Sequence, residues 1–220
     1  MASLESVQQL IASENFGDRI SGLNQLRAFS PAEAFPLIQP LLKDHEARVR
    51  YAAVSQMDAV GQGFETEALV LLREVLFNDS ELDVKAAAAD AIAGLKIAEA
   101  YDDLAQVYHA TSEWLLQFSI VAALGELGNP KAFDLLKEAL NSETELVRTS
   151  AISALGDLGD RRAIQLLTPF IADPDWQVRY RLAQSLGRLG GDEVKPFLET
   201  LAQDEQQAVA DEAAHHLNGI

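Results

Sequence analysis

Two aromatic pairs stand out when the sequence is searched for residues able to do chemistry or recognition: Trp114 with Phe118, and Trp176 with Tyr180. The members of each pair are four positions apart, so on a helix they project from one face. The pairs repeat each other at a separation of 62 residues, and Tyr51 fills the slot of Phe118 and Tyr180 in a further segment. Five aromatics in register can form a stripe. Ring faces bury a large area at small entropic cost, and where exposed they mark a surface for a planar ligand or a protein partner. The same rings would serve equally as packing, with a Trp near a helix start capping a stack or lying under a loop. Arg48, Arg50, Arg179 and Arg181 stand beside them, and each can grip a carboxylate through a two-pronged hydrogen bond.

Other reactive side chains offer less. The chain has no cysteine, which removes a disulfide framework, a thiolate metal site and a Cys nucleophile. His215 and His216 are consecutive, so on a helix they diverge by about 100 degrees and chelate poorly. His45 falls in a turn and His109 at a helix end, so no metal site is expected. No His-Glu-x-x-His, phosphate loop, nucleophile elbow or dinucleotide fingerprint appears.

The elements that must carry these residues are repeats. The stretch DPDWQVRYRLAQSLGRLG, residues 173–190, recurs in degraded copies along the chain, with anchors at 19, 50, 85, 117, 148, 179 and 210. The steps between anchors are 31, 35, 32, 31, 31 and 31. A period near 31 means stacked two-helix units that share one continuous core, and it predicts a single repeat domain over 1–220. Apolar residues recur at helical spacing and strand alternation is absent, so the expected class is all-α, an α-solenoid of about seven two-helix repeats in a right-handed superhelix.

Each unit opens with a first helix such as AFDLLKEAL (132–140) or AIQLLTPFI (163–171). A polar turn follows, begun by Asp44, Asp79, Ser142, Asp173 or Asp204 six residues before the anchor, in a capping or near-capping role. The second helix then buries small or aliphatic pairs: Ala53 and Val54, Ala88 and Ala89, Ile120 and Val121, Ala151 and Ile152, Leu182 and Ala183. Gly61, Gly128, Gly159 and Gly190 close units in the left-handed conformation. The irregular joint GQGFETEALV after Gly61 either flexes or lengthens the next helix. Basic anchors alternating with turn acids predict a ladder of inter-repeat ion pairs, each contributing about 0 to 1 kcal/mol if exposed.

Charge narrows the partners. With 34 acidic against 17 basic residues the formal charge is −17, so the cationic surface that nucleic acid or an anionic membrane requires is missing. No apolar run approaches the length of a spanning helix, and the opening MASLESVQQLIASENFGD has neither the basic nor the apolar part of a signal peptide. A cytoplasmic protein without membrane insertion is expected.

Units such as ELGNPKAFDLLKEALNSETELVRTSAISALGDLGD resemble HEAT-like repeats, and specifically the short variety of the phycobilisome bilin-lyase group. Within that group, ESVQQLIASENFGDRISGLNQLR and LLKDHEARVRYAAVSQM are most similar to the cyanobacterial branch that dismantles phycobilisomes under nutrient stress. The resemblance implies phycobiliproteins as partners, phycocyanobilin or a related bilin as a ligand but not as a required cofactor, and turnover of the antenna. On that reading the stripe of Tyr51, Trp114, Phe118, Trp176 and Tyr180 lines the concave face, Arg48, Arg50, Arg179 and Arg181 meet bilin propionates, and Asp58, Asp83 and Asp90 accept pyrrole N–H bonds. Detaching a bilin from its cysteine thioether would need a general acid, for which Tyr180 and Asp90 are the candidates. The alternative is a non-catalytic scaffold that docks antenna complexes or a proteolytic adaptor.

Overall fold

The computed structural model describes residues 3–219, and every element within them is an α-helix or a 3-10 turn. Met1, Ala2 and Ile220, the ends of the first and last repeat copies, lie outside the described residues. The chain divides into two compact units, 1–120 and 121–220. The first contains α1 (Leu4–Ile11), α2 (Phe16–Leu26), α3 (Pro31–Ile38), a 3-10 turn (Gln39–Lys43), α4 (Ala47–Val54), α5 (Met57–Val60), α6 (Glu65–Asn78), α7 (Leu82–Gly94), a 3-10 turn (Ala98–Ala100) and α8 (Tyr101–Ala110). Helix α9 (Trp114–Leu127) contains the division. The second holds α10 (Ala132–Ala139), α11 (Glu145–Leu158), α12 (Ala163–Leu167), a 3-10 turn (Thr168–Ala172), α13 (Trp176–Leu189), a 3-10 turn (Asp192–Val194), α14 (Lys195–Leu201) and α15 (Gln207–Leu217).

One device starts every second helix. The side-chain oxygen six residues before the anchor accepts the backbone N–H two positions later, at 2.9 to 3.2 Å, from Ser13, Asp44, Asp79, Thr111, Ser142, Asp173 and Asp204. Such a turn reverses the chain without using a helix amide. Ser13 and Thr111 are thus added by the structure to the five turn residues read from the sequence. The helix then begins three residues before the anchor, at Phe16, Ala47, Leu82, Trp114, Glu145, Trp176 and Gln207. The five apolar pairs expected to face neighbouring helices are all buried.

Several boundaries differ from the sequence expectation for identifiable reasons. Pro169 has no N–H to donate, and the segment expected to be helical through 171 is α-helical only to Leu167 and continues as a 3-10 turn. Pro40 does the same after α3. Gly128, Gly159 and Gly190 take positive φ as expected, but Gly61 does not; Gly63 and Lys96 do. Gly61 is required for space, since a Cβ there would meet the Met57 carbonyl oxygen at 2.6 Å. The irregular joint lengthens the next helix, which reaches 14 residues in α6, and Phe64 stacks on Phe35 with ring centroids 4.6 Å apart.

In the second unit α11 packs along α13 and α13 along α15. A Cβ on Gly125 would meet the Ala154 Cα at 2.5 Å, one on Gly156 the Ser185 Cα at 2.7 Å, and one on Gly187 the His216 ring at 2.2 Å. These glycines stand eight residues after their anchors, and each faces the residue 29 positions on. At Gly125 and Gly156 the stack closes to near backbone contact because no side chain intervenes, and at Gly187 the missing side chain leaves room for the His216 ring.

Candidate functional site

The anchor side chains are structural. Arg19, Arg50, Arg148 and Arg179 each donate Nη1 to the carbonyls six and five residues back, satisfying acceptors of the preceding turn. Gln117 reaches the Thr111 carbonyl in the same way, and Lys85 that of Phe77. Three of the arginines also hold the turn acid of the following repeat: Arg50 with Asp79 and Arg179 with Asp204 in two-pronged pairs, and Arg19 with Asp44 through one hydrogen bond from Nη2 at 3.0 Å beside an Nε–carboxylate ion contact at 2.7 Å.

These pairs are buried, not exposed as a surface ladder would be; the side chains of Arg179 and Asp204 are 9% and 7% accessible. Arg179 holds the Asp204 carboxyl below the usual carboxylate range through its hydrogen bonds, and the same bonds raise Arg179. At Asp79, burial pushes the pKa up, but the Arg50 guanidinium and the Glu81 N–H outweigh it and leave the group lowered. The assignment of Arg50 and Arg179 to ligand carboxylates is thereby corrected: their donors are committed to Asp79, Asp204 and the turn carbonyls. Arg148 keeps its turn bonds but forms no ion pair with Asp173, and a cleft of about 210 Å³ lies between them.

In the first unit Tyr51 on α4 is 46% exposed and Trp114, the first residue of α9, also 46%, while Phe118 is half-buried. Arg48 on α4 and Asp90 on α7 are exposed. In the second unit Trp176, the first residue of α13, is 40% exposed, Arg181 is exposed and Tyr180 is half-buried. Thus Trp114 and Trp176 begin their helices at the same register position, and so does Phe16, 41% exposed, which the sequence search missed. The signal for Phe16 was available: it stands three residues before Arg19, as Trp176 stands three before Arg179.

Tyr180 lies in a polar group at the α13–α15 joint. Gln184 donates to its hydroxyl at 3.3 Å, and the neighbouring Glu212 carboxylate, by hydrogen bond and charge, pushes the phenol pKa up. Glu212 in turn lies 3.1 Å from His216, whose ring sits against Gly187. A phenol so held is a weaker acid than free tyrosine, and Asp90 lies on α7 in the other unit. Among the described residues no group of three or more His, Asp or Glu could hold a metal ion, and no helix is long and apolar enough to cross a membrane.

The sequence profile of HEAT repeats matches residues 4–93, 69–156 and 139–218, so the chain belongs to the HEAT-repeat family. Among solved structures it is similar to the complex of CpcE and CpcF of phycocyanin lyase from Nostoc sp. PCC7120, at 20% identity over 99% of this chain and 93% of that one, with a TM-score of 0.67. It is also similar to an archaeal HEAT-like repeats protein from Thermococcus onnurineus NA1, at 11% identity, 99% and 97% coverage and a TM-score of 0.60. An engineered protein matches with 18% identity, 99% and 68% coverage and a TM-score of 0.61. No curated protein matches the chain. At these identities the likenesses establish the fold.

Proposed function

We propose that this protein is a HEAT-repeat scaffold of phycobilisome turnover that binds phycobiliproteins, with bilin as a second ligand, through the exposed aromatic residues of its second helices. The observation that carries the reading is the likeness, over 99% of this chain, to a phycocyanin lyase complex. It is supported by the close resemblance of the repeat sequences to the bilin-lyase group and, within it, to the phycobilisome-degradation (non-bleaching) proteins. Tyr51, Trp114, Phe118 and Arg48 on one unit, and Trp176, Tyr180 and Arg181 on the other, are the residues assigned to partner binding. Trp114 and Trp176 present ring area that the fold itself leaves uncovered.

Two activities fit this site. In the first, the scaffold detaches bilin by retro-addition: the C–S bond breaks as the adjacent bilin carbon gives up its proton and the pair forms a carbon–carbon double bond, and the departing cysteine sulfur is protonated, with Tyr180 or Asp90 as donor. In the second, it docks antenna complexes or a proteolytic adaptor without chemistry. The state of Tyr180 favours the second reading, because its hydroxyl is engaged by Gln184 and Glu212 and its pKa is raised. Incubation of the purified chain with phycocyanin separates the two. Loss of pigment still covalently attached after denaturation identifies detachment, and binding with every bilin retained eliminates it. Replacing both Trp114 and Trp176 with Ala is expected to weaken phycocyanin binding at least about tenfold with the helical circular dichroism unchanged. Unchanged binding by the folded variant would remove the aromatic residues from the site.

A further inference from the structure

The joint that Gly125, Gly156 and Gly187 close in the second unit is built differently where the first repeat meets the second. The residue eight after anchor 19 is Arg27, the residue 29 positions beyond it is Gln56, and the residue eight after anchor 50 is Asp58. Where glycine lets the stack reach backbone contact, a cleft of about 510 Å³ opens here, lined by Arg27, Phe29, Pro31, Gln56, Asp58 and Val60 among others. That volume exceeds the roughly 30 Å³ share of one water and falls within the range of small-molecule sites.

The second helix is broken at this cleft for a local reason. The Ser55 hydroxyl donates to the Tyr51 carbonyl at 2.8 Å and Gln56 Nε2 to that of Ala52 at 3.0 Å, successive side-chain bonds to the preceding turn that bend a helix. Helix α4 ends at Val54 and α5 starts at Met57. The Ala52 bond fixes the Gln56 amide, which is 3% exposed, yet its Oε1 is buried with no donor within reach. Native chains leave few buried acceptors unpaired. Arg27 and Asp58 are exposed, line the same cleft, and form no ion pair with each other or with any described residue.

We infer that this cleft binds a small zwitterion with an apolar body that carries an N–H group, of which tryptophan is a representative. Three kinds of group are waiting for it. A turn of the Gln56 side chain toward the cleft lets its buried Oε1 take the N–H, Arg27 takes the carboxylate and Asp58 the ammonium, while Phe29, Pro31 and Val60 supply the apolar wall. The cleft lies outside the aromatic set assigned to antenna binding, and it gives Asp58 an ammonium partner in place of the pyrrole N–H expected from the sequence.

The test uses the full chain with L-tryptophan as the probe, followed by titration calorimetry and saturation-transfer NMR. A dissociation constant on the order of a millimolar is expected for a ligand of this size. 1-Methyltryptophan, which lacks the N–H, is expected to bind about tenfold more weakly, and tryptamine and indole-3-propionate, each missing one charge, are expected to lose comparable affinity. Gln56→Met should abolish the distinction between tryptophan and its N-methyl form, and Arg27→Met should abolish that between tryptophan and tryptamine. Absence of saturable tryptophan binding overturns the assignment and leaves Gln56 Oε1 an unpaired buried acceptor. Equal binding of tryptophan and 1-methyltryptophan to the unmodified chain overturns it as well, whether or not the Gln56 variant folds.

Discussion

Removing Arg179 should uncouple the last repeat from the one before it. The guanidinium makes two bonds to Asp204, at 2.6 and 2.8 Å, and two to the carbonyls of Asp173 and Pro174. Arg179→Met leaves the Asp204 carboxylate with only the Gln206 N–H, in surroundings where its side chain is 7% accessible. Breaking a buried pair from one side typically costs about 3 to 5 kcal/mol; because the retained amide bond offsets part of the loss, about 3 kcal/mol is expected here. Asp204→Asn keeps the turn and should cost a similar amount. The double variant should cost about as much as either alone, since the second change removes the group that the first left unpaired. Urea unfolding followed by circular dichroism measures these values. Hydrogen exchange should show faster opening of the α15 amides before those of α11, because repeats stack on neighbours only. Additive costs in the double variant, or a single-variant cost below about 1 kcal/mol, would refute the account of a buried, coupled pair.

Acid should reveal the same pair from another side. The folded pKa of Asp204 is depressed below the unfolded value of about 3.9, so its contribution is fully present above that pH and is lost as pH falls through the lowered folded value. Asp204→Asn should flatten stability against pH in that acid range and leave the slope near neutrality unchanged. Gly125→Ala forces a Cβ to 2.5 Å from the Ala154 Cα, where backbone must move, and should destabilise by about 2 kcal/mol in urea unfolding, whereas Gly159→Ala, with open space but positive φ, should cost about 1 kcal/mol through backbone strain. Trp114→Ala and Trp176→Ala, at rings 46% and 40% exposed, should each shift stability by no more than about 1 kcal/mol.

The repeat period, the buried pairs of the second helices and five of the seven turn residues six before the anchors could be read from residue types alone, because each follows from helical spacing or from a short side chain bonding a nearby amide. What was not legible depended on the third dimension. The pairing of basic anchors with turn acids was legible in their alternation, but the sequence does not show that Arg50 and Arg179 hold their partners, 29 and 25 residues away, shielded from water, which leaves neither free for a ligand carboxylate. Gly61 looked like a helix terminator because spacing alone does not distinguish a glycine needed for positive φ from one needed for space. The exposure of Trp114, Trp176 and Phe16 is likewise a property of the register at which each helix leaves its turn. The cleft at Gln56 became visible only when glycines elsewhere showed what ordinarily closes that joint.

The span of the ion pairs bears on how this chain could change length. Arg19 and Arg179 each reach 25 residues ahead, but Arg50 reaches 29, across the longer α6, and closes the same two-pronged grip as Arg179. The tie runs from turn to turn, so residues added within the intervening segment do not displace its ends. First helices are therefore the natural places for insertions, splices or grafted segments, while the turns and the anchors that hold them must keep their internal spacing. A lineage could elaborate one side of such a protein extensively and leave its framework in register.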